Sequence, residues 1–364
     1  MGLPLLKLLD TLHRWTGGLI GLILALLGLS GAILVHRDAW IMLPHASDAR
    51  VTDPAAIGAA VERMMADPDH LPRSILFAND SFGLNRLTFG KGAGAYADQA
   101  GAIVTRWDSQ WQRPELWLFD FHHHLFAGDM GETVIGVAAL CGLFFVISGV
   151  ILWWRTRRTF EVRLWPRRMS RPAIVRHHRD LGVIMTPLLA MALFTGAVFV
   201  FRPVASLLLG PGTSAELKAA SKSPKPLEAK LAAKPDWRAM VRAAHARFPE
   251  AELRSIGLPR GDSGLIAFRM RQPEEWLPNG RTMVWFAADT GVVAGSRDSR
   301  DLTPRVKAYN MFYPLHAAKV GGLPYRIVMT LTGLALAMLG SLAVWSFWFR
   351  GGRRSTMPKR AVWR

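Results

Sequence analysis

Most of the chain's eleven histidines lie close to the ends of long uncharged apolar segments. The segments run Trp15–Val35, Val134–Trp154, Leu181–Phe201 and Ile327–Phe349. The histidines beside them are His13, His36, His122, His123, His124, His177, His178 and His316. Ionisable side chains at membrane depth are costly and usually have a function, and imidazole is a common axial ligand of haem iron. This arrangement therefore indicates where the chemistry of the protein is carried out.

Each apolar segment is long enough, at about 1.5 Å rise per residue, to cross a hydrocarbon core of roughly 30 Å as a helix. Half of the 364 residues are hydrophobic. These features predict an integral membrane protein with four spanning helices. The first segment has the small residues Ser30, Gly31 and Ala32 of a secretory signal, but it is longer than an ordinary signal core, so we expect it to be retained.

The net charge of +18 is concentrated beside the apolar segments. The head before the first segment, the 155–180 stretch and the tail from 350 hold seventeen basic and only three acidic residues. Because basic residues flanking membrane helices stay in the cytoplasm, both termini and the 155–180 loop are predicted to be cytoplasmic. The two long segments between them then face the periplasm or exterior. Membrane topology accounts for most of the charge, so nucleic-acid binding is not expected.

The sequence also indicates that the chain consists of two related halves, as in some membrane proteins with parallel repeats. The third apolar segment repeats the first at an offset of 165 residues, and the fourth repeats the second less closely. The best matches are His13-Arg14-x-x-Gly17 with His178-Arg179-x-x-Gly182, and Ser30-Gly31-Ala32 with Thr195-Gly196-Ala197. An internal duplication is therefore predicted.

Each half contains a long outer segment that predicts a small α+β unit. A helix is expected over Asp53–Ala66 in the first half and over Pro235–Phe248 in the second. Strands follow each helix, with turns where Asp and Gly supply the turn chemistry. The expected strands are Ser74–Phe77, Leu84–Phe89, Ala93–Asp98, Ala102–Arg106, Glu252–Gly257, Gly264–Arg271 and Arg281–Asp289. The Ala-, Lys- and Pro-rich stretch Ser214–Lys234 predicts an exposed linker.

The predicted fold class is an all-α membrane four-helix bundle with two periplasmic α+β units. The expected divisions are the head and first membrane helix 1–36, outer unit 37–132, second helix 133–154, basic loop 155–180, third helix 181–201, linker and outer unit 202–325, fourth helix 326–349 and basic tail 350–364. The first outer segment carries a net charge of about −5 and the second about +9. This difference only weakly favours an anionic ligand.

His13 and His178 are the first candidate pair, proposed to bind one haem iron from opposite sides. Each has a glycine four residues later, Gly17 and Gly182 respectively, on the same helical face. Such a glycine leaves room for a flat macrocycle, although it also permits close helix packing. His177 is the alternative to His178, and the duplication disfavours it.

A second pair is expected at the outer ends of the second and fourth membrane helices. The candidates there are His122, His123, His124 and His316. Three consecutive helical residues cover about 200° of the helix surface, so at least one of the three adjacent histidines must point into the bundle. Local spacing favours His124, which is followed one turn later by Gly128.

His36 is a third outer candidate without a partner. It lies 23 residues after His13, hence roughly 34 Å along a helix axis, so these two histidines cannot share a cofactor. An interfacial histidine can also snorkel or cap a helix without binding anything. Two pairs at matching depths favour ligation of the set over that interpretation. Haem is favoured over a free metal ion, and the absence of a Cys-x-x-Cys-His motif predicts non-covalent haem.

These motifs resemble the PepSY-associated transmembrane family of bacterial inner-membrane proteins. The matching residues are Leu12-His13-Arg14-Trp15-x-Gly17, His122-His123-His124-Leu125-Phe126-x-Gly128, His178-Arg179-x-x-Gly182 and Leu315-His316-x-x-x-x-Gly321-Gly322, with Asp-x-x-Gly hairpins like those of PepSY units. Family members are known as iron-regulated membrane proteins, and some are haem-containing siderophore reductases. The resemblance implies His122 rather than His124 as the ligand of its cluster. His316 is followed by Ala317-Ala318, where the family often has a glycine two residues on.

The combined prediction is an inner-membrane protein with two haem b groups. Electrons would pass from the cytoplasmic side through His13 and His178, then through His122 and His316, to a periplasmic ferric siderophore, which makes the protein a ferric-siderophore reductase-type oxidoreductase. No flavin or nicotinamide motif occurs in the cytoplasmic loops, so another protein or a quinol is expected to supply the electrons.

Two alternatives stay open beside this prediction. One is a non-enzymatic membrane anchor whose PepSY-like units bind a peptide or regulate a protease. The other is electron transfer across the membrane to a different periplasmic acceptor. The anchor would contain no chromophore, whereas the second alternative would contain the same haems.

Overall fold

The computed structural model describes residues 2–349, so the predicted basic tail at 350–364 lies outside the described residues. The α-helices are α1 Leu3–Leu34, α2 Arg37–Trp40, α3 Pro54–Met64, α4 Pro114–His124, α5 Gly128–Trp154, α6 Arg171–Val200, α7 Ser206–Leu209, α8 Thr213–Ala220, α9 Trp237–Arg247, α10 Pro304–His316 and α11 Gly322–Trp348. The strands are β1 Ser74–Leu76, β2 Asn85–Gly90, β3 Ala93–Ala97, β4 Ile103–Trp107, β5 Glu252–Gly257, β6 Leu265–Arg271, β7 Thr282–Ala287 and β8 Val293–Arg297.

Within residues 2–349, four helices, α1, α5, α6 and α11, are long and apolar enough to cross a membrane. The predicted four membrane helices are thus confirmed, but they begin earlier than expected. Helix α1 already begins at Leu3 and α6 at Arg171, because the prolines ahead of the apolar segments, Pro4 and Pro172, lie in the first helical turn, where proline is tolerated. His13 and His178 consequently lie within helices rather than ahead of them.

The chain divides into two compact units. The first, called the helical unit, comprises residues 2–29, 138–193 and 332–349 of the described chain. The second, called the sheet unit, comprises Ser30–Val137 and Phe194–Leu331. Each of the four long helices therefore contributes residues to both units.

Small residues allow the helices of the helical unit to pack closely. A Cβ added to Gly21 of α1 would lie 2.9 Å from the carbonyl oxygen of Gly340 on α11, so these two helices approach backbone to backbone. A Cβ added to Gly142 of α5 would overlap the side chain of Leu193 on α6, so this glycine makes room for that side chain. The buried core of this unit is formed by Leu24, Ala138, Leu181, Leu189, Leu193, Ala335 and Leu339.

A buried ion pair network fixes the loop between α5 and α6. Asp180 is 0% exposed and contacts the guanidinium groups of Arg163, in the loop, and Arg179, its neighbour in α6. Arg179 also donates to the hydroxyl and the carbonyl of Thr159. The predicted basic loop is therefore folded back onto α6, at least as far as Arg163.

The sheet unit contains one antiparallel sheet with the strand order β4-β3-β2-β1-β5-β6-β7-β8. Strands β1 and β5 join its two halves, with Ile75 opposite Ile256. The two predicted α+β units thus share a single sheet, a pairing between segments too distant in sequence to be read from local patterns. Strand β8 was not predicted, and helix α8 occupies the start of the predicted linker.

Helices α3 and α9 cover one face of this sheet. Asp53 and Asp236 cap the helices by accepting hydrogen bonds from the backbone N–H groups of Ala56 and Ala239. The apolar side chains between the helices and the sheet include Val61, Met64, Ile75, Leu87, Met240, Val241, Ile256, Phe268 and Phe286. Alternate residues of the strands therefore point to the opposite face, which these two helices do not cover.

The shared sheet also restricts the membrane topology. Strands β1 and β5 are hydrogen-bonded to each other, and two spanning helices, α5 and α6, lie between them in the chain. An open sheet edge does not extend through the hydrocarbon core. Both outer segments must therefore lie on the same side of the membrane.

Candidate functional site

His13 and His178 face each other in the helical unit. His13 lies on α1 and His178 on α6, and their ring centroids are 6.2 Å apart with perpendicular planes. With metal–imidazole bonds of about 2 Å on each side, two imidazoles on opposite sides of one iron have centroids roughly 6 Å apart. The spacing of this pair therefore suits ligation of a single metal from two sides.

Ser148 of α5 orients the His13 ring. The Nδ1 of His13 is 2.7 Å from Ser148 Oγ, and this hydroxyl donates to the Phe144 carbonyl oxygen at 2.6 Å. A hydroxyl has one proton, so the Nδ1–H of His13 must be the donor in the first bond. The lone pair of the imidazole then lies on Nε2, which is the arrangement usual in metal-bound histidines.

His178, rather than its neighbour His177, is brought to His13. The Nδ1 of His178 is buried and has no hydrogen-bond partner among the described residues. His177 is completely buried, and its Nε2 lies 3.1 Å from the carbonyl oxygen of Leu164 in the preceding loop. The two adjacent histidines thus have separate surroundings, and only His178 belongs to the pair.

A cavity of about 410 Å³ adjoins the pair, and all four long helices line it. Most of its lining is apolar, and it includes both histidines together with Gly17 and Gly182. A Cβ added to either glycine would meet no described atom within 4 Å. The two glycines one turn from the histidines therefore border open space, whereas Gly21 serves close helix packing.

The second pair, in the sheet unit, consists of His122 and His316. Their ring centroids are 6.3 Å apart, nearly the same spacing as in the first pair, with an angle of 54° between the ring planes. The Nδ1 of His122 is hydrogen-bonded to Ser30 Oγ at 2.8 Å, and that of His316 to Thr195 Oγ1 at 2.9 Å. Both hydroxyl residues are almost fully buried. Because these bonds engage Nδ1, Nε2 of each ring is the candidate ligating atom.

The helices that carry the second pair differ from those predicted. His122 lies on α4 and His316 at the end of α10, neither of which is a membrane-spanning helix. Backbone with positive φ separates each short helix from the next long one. The residues with positive φ are Leu125, Phe126 and Gly128 in the first break and Ala318, Gly321 and Gly322 in the second. Glycine accepts this conformation without strain, which explains the glycines in both motifs.

The remaining histidines of the outer group have other surroundings. His124 is paired with Asp120 one turn earlier, at 3.0 Å. His123 stacks near Phe119, and burial, with the charges of His124 and His316, lowers its pKa to about 4. His123 is therefore neutral at physiological pH, and neither it nor His124 faces His316 as His122 does.

His36 is hydrogen-bonded to the fourth membrane helix. Its Nε2 lies 2.8 Å from Thr330 Oγ1, and that hydroxyl donates to the Arg326 carbonyl oxygen. By the argument used for Ser148, His36 is the donor of this bond. The contact links the ends of α1 and α11, which gives His36 a structural role. Its ligation remains a prediction without geometric support.

The donor set of both pairs is limited to two imidazoles. No group of three or more His, Cys, Asp or Glu side chains within residues 2–349 is arranged to hold a metal ion. A bare ion prefers four or more protein ligands, whereas a haem brings four nitrogens of its own. The residues present at both pairs therefore fit a haem better than a free metal ion.

The hydroxyl partners were not identified from the sequence. Ser30 and Thr195 are aligned by the predicted duplication, so a hydroxyl at matching positions of both halves was the available signal. Ser148 had a weaker signal, as a polar residue in an otherwise apolar helix. Their pairing with particular histidines depends on tertiary contacts.

The hydrogen bond to His13 leads to a prediction about Ser148. If the first pair binds haem, a Ser148→Ala variant is expected to bind it about tenfold more weakly, and the midpoint potential of that haem is expected to rise by about tens of millivolts, because His13 loses basicity without its hydrogen-bond acceptor. A redox titration followed by visible absorbance measures both. Ser148→Thr, which retains the hydroxyl, is the control and should behave as wild type. An unchanged potential in the alanine variant would contradict the proposed role.

Comparison with known proteins gives a family for this architecture. No curated protein matches the chain. The family model of the PepSY-associated TM region matches residues 11–350 and so includes the whole sheet, most of α1 and the other three long helices. The predicted family is thereby confirmed: the chain belongs to the PepSY-associated transmembrane family.

Proposed function

We propose that the protein is a haem b electron-transfer protein that holds two haems, one at each histidine pair. The observation that carries this proposal is the repeated geometry, in which two histidines from different helices stand 6.2 or 6.3 Å apart. In three of the four rings a buried hydroxyl occupies Nδ1. A surface histidine that only interacts with solvent needs none of these features.

The residues around the first pair fit the remaining parts of a haem. The apolar cavity walls exclude water, and the open space beside Gly17 and Gly182 suits a flat macrocycle. Arg14 and Arg171 also line the cavity, and guanidinium groups are good partners for carboxylates such as propionates. When bound, haem would supply reversible one-electron chemistry, and the protein residues would set its position and potential.

We further propose an orientation in the bacterial inner membrane. The basic loop and the predicted basic tail support cytoplasmic termini, which would place the sheet unit in the periplasm. The first pair would then receive electrons on the cytoplasmic side, from a protein or a quinol. The second pair would pass them to a ferric siderophore, releasing iron as Fe(II). The resemblance to siderophore reductases supports this choice of acceptor.

A pyridine haemochrome assay of the purified protein tests the cofactor directly. Two haem b groups per chain are expected. One haem would mean that only one pair binds, and none would reject the electron-transfer proposal in favour of a membrane anchor. The acceptor needs a separate measurement, in which the dithionite-reduced protein is mixed with a panel of ferric chelates. Reoxidation by siderophore complexes is expected, and its absence would point to a different periplasmic acceptor.

A further inference from the structure

The sheet face opposite α3 and α9 carries a row of residues that crosses all eight strands. Directly opposite residues in neighbouring strands point to the same face, so the strand register identifies the row. In order across the sheet it reads Thr105, Tyr96, Arg86, Leu76, Ser255, Arg269, Met283 and Arg297. Arg281 lies two residues before Met283 and belongs to the same face. Four arginines are thus directed to one side of the sheet. We call Arg86, Arg269, Arg281 and Arg297 the arginine face.

The arginine face lacks ion-pair partners among the described residues, although the charge of Glu275 is close enough to raise the pKa of Arg269 and of Arg281. Among the ion pairs of the described residues, none joins any of these four guanidinium groups to a carboxylate within 4.0 Å. The Nε atoms of Arg86 and Arg297 are buried and have no hydrogen-bond partner among those residues. Three exposed arginines of the described sheet unit, Arg238, Arg300 and Arg305, are in contrast paired with carboxylates. Arg300, for example, contacts both Glu250 and Glu274.

The four arginines are half-buried, and this makes their lack of carboxylate partners costly. Burial, with the charges of Arg281 and Arg297, lowers the pKa of Arg269 to about 10. Burial also lowers the pKa of Arg281 and that of Arg297, the latter with a contribution from Arg281. A desolvated cation without a partner destabilises a fold unless something compensates it. An anion bound at this face would provide that compensation.

Neutral protein groups accept hydrogen bonds from only some of the N–H groups of the arginine face. Arg269 donates to the Gly280 carbonyl oxygen, and Arg281 donates to the side-chain oxygen of Asn310 on α10. Arg297 donates to the Lys222 carbonyl oxygen and lies over the Trp285 ring at 5.3 Å. These contacts hold the guanidinium groups in place without cancelling their charge.

The arginine face lies beside the helix that carries His316. Arg281 contacts Asn310 of α10, and the charge of Arg86 is close enough to Tyr313 to change its pKa. Tyr313 precedes His316 by three residues and so lies on nearly the same side of α10. A ligand on the arginine face would therefore be close to the second histidine pair.

The spacing of the arginines sets the size of the ligand. Neighbouring strands are about 4.8 Å apart, so Arg86 on β2 and Arg269 on β6 are separated by roughly 14 Å, and Arg269 and Arg297 by roughly 10 Å. One small anion cannot contact all four. A ligand with several anionic groups distributed around a centre can contact two or three of them.

We propose that the arginine face binds an anionic ferric chelate, that is, Fe(III) held by a ligand with free carboxylate groups. The identity of the iron rests on the proposed function, whereas the preference for an anion rests on the arginine face alone. Guanidinium groups recognise carboxylates through charge-assisted, often bidentate hydrogen bonds. The chelate would be held next to His316, on the side from which electrons are proposed to leave.

Binding can be measured with gallium(III) complexes, which resemble the ferric complexes but are not reduced. The purified full-length protein is titrated with anionic gallium citrate and with the positively charged gallium complex of desferrioxamine B. We expect gallium citrate to bind more tightly, with an affinity that falls several-fold between low and high salt because the interaction is ionic. Equal binding of the two complexes, or no salt dependence, would overturn the proposal. If inorganic phosphate bound equally tightly, the arginine face would be a non-selective anion site, and this result would also overturn the proposal.

Variants then test the residues. Arg86→Gln and Arg269→Gln are each expected to raise the dissociation constant for gallium citrate about tenfold or more. Arg238→Gln, which removes an exposed arginine from α9 on the opposite side of the sheet, is the matched control and should leave it unchanged. Arg269→Lys should retain part of the affinity, and thermal unfolding verifies that each variant is folded. If a glutamine variant does not fold, the charge series and salt dependence of the wild-type protein still decide the question.

Two further outcomes separate this proposal from the haem proposal. Gallium citrate binding should persist in a His316→Ala variant, because it depends on the arginines and not on the second haem. If the wild-type protein contains no haem but binds gallium citrate, the binding site at the arginine face is supported. Only its connection with iron reduction is then contradicted. If instead Arg86→Gln or Arg269→Gln loses a haem with no change in chelate affinity, the arginines hold propionates and the proposal is wrong.

Discussion

A His178→Ala variant is expected to lose one of the two haems and to keep the other. His178 is one of only two imidazoles at its site, and no third His, Cys, Asp or Glu among the described residues completes a metal site there. Removing it would leave His13 as the only imidazole of the pair for the proposed haem and would enlarge an already open cavity. The haem content measured by the pyridine haemochrome assay should therefore fall from two per chain to one. Reduced-minus-oxidised spectra should lose one of the two α-band components.

Matched controls make this result specific for His178. His177→Gln removes the adjacent imidazole but keeps a side-chain donor for the Leu164 carbonyl oxygen, so it should retain both haems. His70→Ala removes an exposed histidine of the sheet unit and should also have no effect. Retention of two haems by His178→Ala would refute the first pair. Loss of a haem in His177→Gln but not in His178→Ala would assign the ligand to the neighbouring residue.

The second large effect is expected at the cluster of three consecutive histidines. His122→Ala should lose the haem of the outer pair, whereas His124→Ala should retain it. His122 faces His316 and is oriented by Ser30, whereas His124 is engaged with Asp120. Local spacing in the sequence favours His124 and the family resemblance favours His122, so this pair of variants decides between the two interpretations.

Haem content and spectra of the two variants, with His316→Ala for comparison, provide the measurement. His122→Ala and His316→Ala should give the same spectrum, because both leave only the first haem. Combining His122→Ala with His178→Ala should remove all haem. If His124→Ala lost the outer haem while His122→Ala kept it, the geometry of the second pair would be wrong.

The four membrane helices were predictable because each depends on a local property. Twenty or more consecutive apolar residues suffice to identify a spanning helix without tertiary contacts. The helix N-caps at Asp53 and Asp236, and most strands of the sheet unit, follow for a similar reason from capping residues and alternating patterns. The first candidate pair could be named in advance because duplicated motifs aligned His13 with His178.

Other features could not be predicted because they depend on contacts between distant segments. The pairing of β1 with β5 joins residues on either side of two membrane helices, and no local pattern encodes it. Selection of His122 from three adjacent histidines depends on Ser30, which lies on another helix. The arginine face is visible only once the strand register is known, since its members come from strands β2, β6 and β8 and the residue before β7.

The pairing of β1 with β5 also has a consequence for biosynthesis. During synthesis, β1 emerges long before β5, and its outer edge has no partner until α5 and α6 have been inserted and residues 252–257 have followed. An unpaired strand edge is a template for incorrect association. Strand β1 has only three residues, Ser74–Leu76, and so exposes a short edge during this interval. The pairing of β1 with β5 is therefore a late step of assembly. Correct insertion of α5 and α6 must come before this pairing.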